Sequence, residues 1–432
     1  MSSKEEKPTL AGVNVKTRKR NIAVPLDPGS FANEVIQTFE ANCKEGASLQ
    51  ENLDSGVKVL ETLSLDFNRY GETLFEILFA GGRMSVGPNV ENSGKKLDFF
   101  LLKCEATSES IFPFIKSFQS LVRRRPFLIK KLENVLVKLL KSLEFFDKEG
   151  QAKLAIATAL VFAPSMKIGI IPENVLNALN SDRLVQNGSV KDFITVFFKE
   201  YLSENTLDEL VAILTKAKVA NRLYEFFPPQ MRNMSDFSEH FNGQGMGAFV
   251  EWHNRKTLEV KIQDMRAALT EKLEEEDSDD RLIEFMRDKA VEGELPDSEV
   301  LNVLWDVLIS SINMAGKNQQ QLVQVIKNLI ENYKEHLATF CTTAKLEAAL
   351  LVIVQVHCYE DNKLLKIFSD IVRLLYDADI VGEDTIIYWY QKGSHAKGRN
   401  VFLKDIEPFI KWLEEAEEED EDDDGDDDDE DE

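Results

Sequence analysis

Apolar residues recur at helical spacing along almost the whole chain. Phe31, Val35, Ile36 and Phe39 share one face of a predicted helix, with Ser30 placed to cap it. Phe67, Tyr70, Leu74, Ile77 and Leu78 repeat the spacing, and Gly81-Gly82 stops it. Further amphipathic segments span about 97–118, 127–144, 149–163, 189–201, 205–216 and 219–227. FFPPQM (226–231) and GQGMG (243–247) interrupt the pattern. A long charged helix is predicted from about Ala248 to Leu273, ended by the acidic break EEEDSDD (274–280). Helices resume at about 281–292, 298–313, 318–337, 344–357, 362–376, 384–392 and 400–416. Leu364, Leu365, Phe368, Ile371, Val372 and Leu375 keep a period near 3.6, so one face of that segment must be core.

Sustained apolar–polar alternation, which a half-buried strand requires, is nearly missing. The pattern therefore predicts an all-α chain of two domains of paired helices stacked as a solenoid, without a clean sequence repeat, and with a disordered basic N-terminal arm and an acidic C-terminal tail; the family resemblance given below makes the two domains HEAT/ARM-like helical repeats. The expected boundaries are 1–29 for the arm, 30–227 for an N-terminal HEAT-like domain, 228–247 for a linker, 248–416 for a C-terminal domain and 417–432 for the tail.

At 432 residues and 43% apolar composition, the chain can bury a large core. It has no apolar run of about 18 residues and no apolar N-terminal segment, so neither a membrane span nor secretion is expected. Cys43, Cys104, Cys341 and Cys358 are scattered without a CxxC pair, which fits a cytoplasmic protein with reduced thiols. The net charge is −25, yet residues 414–432 alone hold 17 acids and no base. The body is only mildly acidic. The tail is a polyanion whose field favours basic partners.

Catalytic signatures are missing. GKK at 94–96 lacks the glycine spacing of a phosphate cradle, and neither GxSxG nor HExxH occurs. The five histidines are far apart in sequence, and adjacent His357 and Cys358 would point about 100° apart on a helix. Asp420, Asp422, Asp424, Gly425 and Asp431 imitate a calcium loop, but without flanking helices in a segment of nearly pure acid. No catalytic residue, cofactor or metal is therefore assigned.

Two basic features remain. KTRKR (16–20) precedes Pro25, Pro28 and Gly29, which break any helix leading into a zipper. Lys116 to Lys141 carries eight bases and one acid, Glu133. Arg123, Arg124, Arg125, Lys130 and Lys131 form its densest part, and Arg123–Arg125 stand just before Pro126 at an expected helix junction. Such a run is either a solvated face or a surface for RNA or an acidic protein.

Near the C-terminus, YDADIVGEDTIIYWYQKG (376–393) sets Asp377, Asp379, Glu383 and Asp384 beside Tyr388, Trp389 and Tyr390. Glu383 and Asp384 suit a helix start and Asp377 and Asp379 a turn, without any partner. Glu360 and Asp361 begin the preceding helix with the same ambiguity. Trp389 continues the Ile386 face and so suits the core as well as a contact. Trp412 falls among Phe409, Ile410 and Leu413 and is expected to be partly buried. Glu414, Glu415, Glu417, Glu418 and Glu419 are expected to be exposed.

AKLEAALLVIVQVHCYEDNKLL (344–365), IFSDIVRLLYDADIVGEDTIIYWY (367–390) and FLKDIEPFIKWLEEAEEED (402–420) resemble the acidic–aromatic boxes of two-tryptophan domains. Those domains end initiation factor five and the catalytic subunit of initiation factor two B. KPTLAGVNVKTRKR (7–20), LDFNRYGETLFEILFAGG (65–82) and SHAKGRNVFLKDIEPFIKWL (394–413) extend the resemblance over nearly the whole chain, to the initiation-factor-five mimic family. That family also carries the name basic leucine zipper and two-tryptophan domain proteins.

The resemblance implies a HEAT-type fold with a two-tryptophan domain at 248–416. It implies a non-catalytic translation regulator that binds the lysine-rich segment of the initiation factor two beta subunit, and initiation factor three. Such a protein competes with initiation factor five and tunes start-codon selection and reinitiation, with the 40S preinitiation complex as a wider partner. The zinc-bearing module of factor five needs CxxC pairs that this chain lacks. The partner-binding set implied is Glu360, Asp361, Asp377, Asp379, Glu383, Asp384, Trp389, Trp412, Glu414, Glu415 and Glu417–Glu419. A basic counterpart falls on Lys392, Lys397, Arg399 and Lys404. The alternative is a nucleic-acid-binding transcriptional regulator acting through the basic arm, and a third reading is an enzyme whose site is assembled from distant residues. Neither membrane association nor specific DNA binding is expected.

Overall fold

The first helix opens at Asp27, three residues before Ser30. The Asp27 carboxylate accepts from the Ser30 backbone N–H at 2.9 Å, and Pro28 takes the first helical position, where a missing N–H is harmless. The computed structural model describes residues 9–10, 13–14, 27–85, 89–90, 95–274 and 279–423; at 9–10, 13–14, 279–280 and 416–423 it describes the backbone. KTRKR lies outside these residues. Within the arm read as structureless, Thr9–Leu10 and Val13–Asn14 pair as a short antiparallel ladder. The two-residue spacing between them has the length of the tightest hairpin connection.

The chain divides into two compact units at Glu251/Trp252. The first holds α1 (Pro28–Ala41), α2 (Leu49–Leu60), α3 (Phe67–Ala80), α4 (Ser108–Arg124), α5 (Leu128–Lys141), α6 (Lys148–Phe162), α7 (Pro172–Leu176), α8 (Asp182–Gln186), α9 (Ser189–Glu204), α10 (Leu207–Lys216) and α11 (Met234–Gly243). Its helices stack in two layers. α1, α3, α5, α7 and α10 pack in succession as one layer, and α2, α4, α6 and α9 as the other. This is the two-layer logic of a helical solenoid.

Local chemistry explains the departures from the periodicity. α2, outside the predicted segments, buries Leu53, Val57 and Leu60 on one face and opens on a reciprocal capping box between Ser48 and Glu51. Its Gly56 lies against Phe39, where a Cβ would come within 2.2 Å of the ring. α4 begins only after Thr107, whose hydroxyl accepts from the Ser110 N–H at 3.3 Å, so 97–107 is not continuous helix. Gly81 does end α3, at φ 84° in the left-handed region. The expected linker at 228–247 is instead folded into the first unit. Phe237 and Phe241 of α11 are fully buried; they meet Phe227 and Phe249 edge-on or tilted, and Phe241 stacks on Phe198. The double proline and the glycines suggest a domain boundary; here the prolines merely end one turn, and the aromatics beyond them pack back.

α12 (Gly247–Glu274) spans the unit boundary. It is followed by α13 (Asp279–Gly293), α14 (Asp297–Ser311), α15 (Gln319–Asn332), α16 (Lys334–Phe340), α17 (Ala344–Glu360), α18 (Phe368–Asp377), α19 (Glu383–Tyr388) and α20 (Arg399–Asp423). The predicted helix at 318–337 is broken at Tyr333, which leaves helical geometry at φ −112° and ψ 20°. The segment 362–376 opens with a tight turn at Leu364–Ile367 before α18 begins. Leu364, Phe368, Ile371, Val372 and Leu375 are buried, with Leu365 partly so. α20 runs to Asp423, past the tail boundary expected at 417. A helix already nucleated by its packed first half extends at little cost through residues such as Glu that favour helix.

Candidate partner-docking site

α18 and α20 run side by side in one direction. The Ser369 N–H at the start of α18 donates to Asp405 Oδ2 at 3.3 Å, and near its end the Tyr376 ring lies 6.3 Å from Trp412. α17 runs the opposite way. Glu347 near its start accepts from the Gly382 N–H at 2.9 Å and from the Thr385 hydroxyl at 2.8 Å, just before and within α19. One end of the second unit therefore gathers the C-terminal halves of α18 and α20 with the N-terminus of α19. Asp377, Asp379, Glu383 and Asp384 ring the α18–α19 turn, and exposed Glu414 and Glu415 stand on α20. The C-terminus of α18, the negative end of its dipole, lies at this turn, whereas α20 runs on to Asp423.

The aromatic part of this end is Trp412 on Phe409. The rings are stacked 5.8 Å apart at 12°, and Trp412 remains 48% exposed. Arg373 of α18 lies over both rings, at 5.8 and 5.9 Å. Tyr376 joins acids to rings. Its hydroxyl donates to Glu383 Oε2 at 3.4 Å while its ring meets Phe409 and Trp412. Partial burial, and then the Glu383 charge, push the Tyr376 pKa up. Neither Tyr376, Arg373, Phe409 nor Glu347 was singled out from the sequence. Tyr376 stands within the acidic–aromatic stretch itself, but nothing in the spacing marks Glu347.

The expected set is split by the fold. Asp377 and Asp384 are exposed and form no ion pair among the described residues. Asp379, at φ 52°, pairs with Lys334 at 3.2 Å. Glu360 and Asp361 belong elsewhere, thirteen or more residues along α17 from Glu347, which is about 20 Å of helix. Glu360 ends α17, where Lys397 at 2.8 Å holds its carboxyl below the usual range. Asp361 Oδ1 accepts from the Lys363 and Leu364 N–H groups, so it caps the turn that follows.

Trp389 is a correction. It is fully buried, in contact with Phe368 and inside a wide π-type turn at Trp389–Gly393, so it cannot meet a partner in this fold. Tyr388 is 54% exposed but lines a different, open cavity of about 380 Å³ with Ala348, Ala349, Val352 and Ile353. Glu417, Glu418 and Glu419 continue the backbone of α20, and their side chains lie outside the described residues.

The basic residues also separate. Lys392, Arg399 and Lys404 are exposed and form no ion pair among the described residues, whereas Lys397 is held by Glu360. In the first unit Arg124 pairs with Glu61 at 2.8 Å, and Arg125 lies 4.5 Å over Phe67. Lys130 pairs with buried Glu133, and Lys131 with Glu72 at 3.7 Å. Among the described residues no three His, Cys, Asp or Glu side chains gather as metal ligands, and no helix is long and apolar enough to cross a membrane.

Two helical units, the second carrying acids and half-exposed rings at one end, define a class: helical-repeat proteins with a two-tryptophan domain, of the kind found in translation initiation. Family models agree. One described as the 5MP1/2 HEAT domain matches residues 15–263, and one described as W2 of eIF4-gamma/eIF5/eIF2-epsilon matches 346–423. Neither is an enzyme family. The chain is 30% identical over 419 residues to eIF5-mimic protein 2 of Homo sapiens, covering 96% of this chain and 97% of that protein. It is 30% identical over 420 residues to Protein krasavietz of Drosophila melanogaster, with 97% of each covered. The chain belongs to the eIF5-mimic protein family.

Proposed function

We propose that this chain is a non-catalytic cytoplasmic regulator that competes with initiation factor five. It docks the lysine-rich segment of the initiation factor two beta subunit, and initiation factor three, and so tunes start-codon selection and reinitiation. The observation that carries the reading is the joining of acids and rings at one end of the second unit. Asp377, Glu383 and Asp384 stand beside Tyr376, Phe409 and Trp412, with Glu414 and Glu415 one turn further along α20. A lysine is a cation on an apolar stem. Carboxylates take its head, and the exposed half of Trp412 takes the stem or the charge. Exposed pairs contribute only about 0–1 kcal/mol each, so several must act together and binding must weaken with salt.

The relatives' name supports the competitor role, as do the retained two-tryptophan end and the absence of CxxC pairs from the sequence. The test is capture of the lysine-rich beta-subunit segment by the full chain, at low and at high salt. Reversal of Glu414, Glu415, Glu417, Glu418 and Glu419 to lysine should reduce capture at least tenfold at low salt, and added initiation factor five should displace the chain. Capture that ignores both salt and charge reversal would remove the electrostatic basis of the proposal.

A further inference from the structure

The bases and acids of residues 1–251 balance, so the whole net charge of −25 sits in the second unit. Within the first unit the charge is nevertheless sorted. The α2–α3, α4–α5 and α6–α7 connections line one edge of the stack, because α2, α4 and α6 form one layer and each next helix returns in the other. Arg125 binds the Glu61 carbonyl of the first connection, at 3.4 Å. Gln119 of α4 donates to the Met166 carbonyl in the third, at 2.6 Å. Ile171, at its close, donates its N–H to Glu133 of α5 at 3.2 Å.

At this edge stand Arg123 and Lys167, with Lys116 two turns back along α4, all exposed and without an ion pair among the described residues. Lys116 and Arg123 share one face of α4. Phe127, 46% exposed, occupies the α4–α5 connection between Arg123 and Lys130. Lys167 adopts φ 50°, a left-handed conformation that a side-chain-bearing residue rarely takes, in a loop pinned to α4 and α5. The acids of the region are engaged. Glu133 is buried and bonded to Lys130, Ile171 and Asn174; Glu61 is bonded to Arg124; Asp66 caps α3. Asp54 lines the margin, in a recess of about 450 Å³ shared with Lys58 and Arg123.

We infer that this edge is a docking surface for single-stranded RNA, independent of the acidic end of the second unit. Unpaired cations spaced around an exposed ring match the two contacts that a flexible strand offers. Phosphates meet Lys116, Arg123 and Lys167, and an unstacked base meets the face of Phe127. A duplex conceals its base faces and can use only the cations. An acidic peptide has no flat base to stack, so it too gains little from Phe127. The polyanionic second unit repels the same ligand, which makes binding modest and confines it to this edge.

The experiment titrates the full chain, and its Lys116→Glu/Arg123→Glu/Lys167→Glu and Phe127→Ala variants, into a fluorescein-labelled 15-nucleotide oligouridine at several salt concentrations. All four positions are exposed, and circular dichroism checks that each variant folds. The triple reversal should weaken binding at least tenfold and flatten the log–log salt slope by about 2, since three phosphate contacts are lost at roughly 0.7 each. Phe127→Ala should weaken the strand several-fold while leaving binding of a 15-base-pair RNA duplex unchanged. Unchanged affinity in the triple variant overturns the proposal. So does equal loss of duplex and strand on Phe127→Ala, or displacement of the strand by polyglutamate of equal charge with no dependence on Phe127, which would make the edge an acidic-protein surface.

Discussion

The indole N–H of Trp389 donates to Gln355 Oε1 at 3.2 Å, at a position where neither side chain reaches solvent. The same oxygen accepts from the His395 N–H at 2.9 Å, and Gln355 Nε2 donates to the carbonyls of His395 and Lys397, each at 2.8 Å. One amide thus holds the turn after α19 and the loop that leads into α20. Gln355→Leu keeps the volume and strands four polar groups, each of which loses stability when buried without a partner. The second unit should lose about 3 kcal/mol in urea unfolding followed by circular dichroism. A loss under about 0.5 kcal/mol would mean the loop finds other partners.

The two family tryptophans should behave oppositely. Trp412 is half exposed, so Trp412→Ala forfeits only about half of a tryptophan's burial and should cost about 1–3 kcal/mol. It deletes a cation–π surface, and capture of a lysine-rich peptide should fall about three- to fivefold. Trp389→Ala empties a fully buried site and should destabilise by about 3–5 kcal/mol. Parallel calorimetry and peptide titration separate the two. Loss of folding in Trp412→Ala, or full capture by it, would contradict this division.

The helices were legible because their apolar faces, start signals and stops are local: Leu364 to Leu375 announces a buried face, and Gly81 a left-handed end. The site was legible only as a list of residue types. Asp377 and Glu383 look like Glu360 and Asp361 in sequence, yet helix length sets the two pairs about 20 Å apart. Whether a tryptophan is core or contact depends on which helix covers it, and Ile386 gave Trp389 a face without saying what lay over it. The buried role of residues 233–247 was masked because Pro and Gly mark turns equally well inside a domain and between domains.

Glu347 holds the turn that carries Asp384 through two hydrogen bonds, to Gly382 and Thr385. It is not itself one of the exposed acids at the turn. Glu347→Ala should cost about 1–2 kcal/mol of stability and loosen the α18–α19 turn. Hydrogen exchange of the Gly382 amide should quicken at least tenfold, with peptide capture reduced. If exchange at Gly382 is unaltered, the turn is held by other contacts.

Three of the four thiols should react in a fixed order. Cys43 is exposed, whereas Cys341 and Cys358 are buried. Burial pushes the Cys341 thiol up to about 12 and raises Cys358 as well. Only the thiolate attacks a disulfide reagent, so the buried pair is inert in the fold. An aromatic disulfide reagent should label Cys43 first, and Cys43→Ser should remove that fast phase. Cys341 and Cys358 should react only in denaturant; rapid native labelling of either would show that the second unit opens readily.

His253 predicts an acid-sensitive unit. Burial holds its pKa down at about 4, against 6.5 for an exposed histidine. The folded chain therefore binds this proton less readily than the unfolded chain. Stability from neutral His253 is complete above about pH 6.5 and declines as pH falls toward 4, by roughly 3 kcal/mol in all. Below pH 4 both states carry the proton, and the loss stops growing. Carboxylates titrate over part of the same range, so the quantity to measure is a difference: urea stability of the parent minus that of His253→Gln, at half-unit steps from pH 7.5 to 4. The difference should shrink steadily across that window. A constant difference would mean that the folded chain takes up the proton at His253 as easily as the unfolded one, through a side-chain rearrangement that admits water.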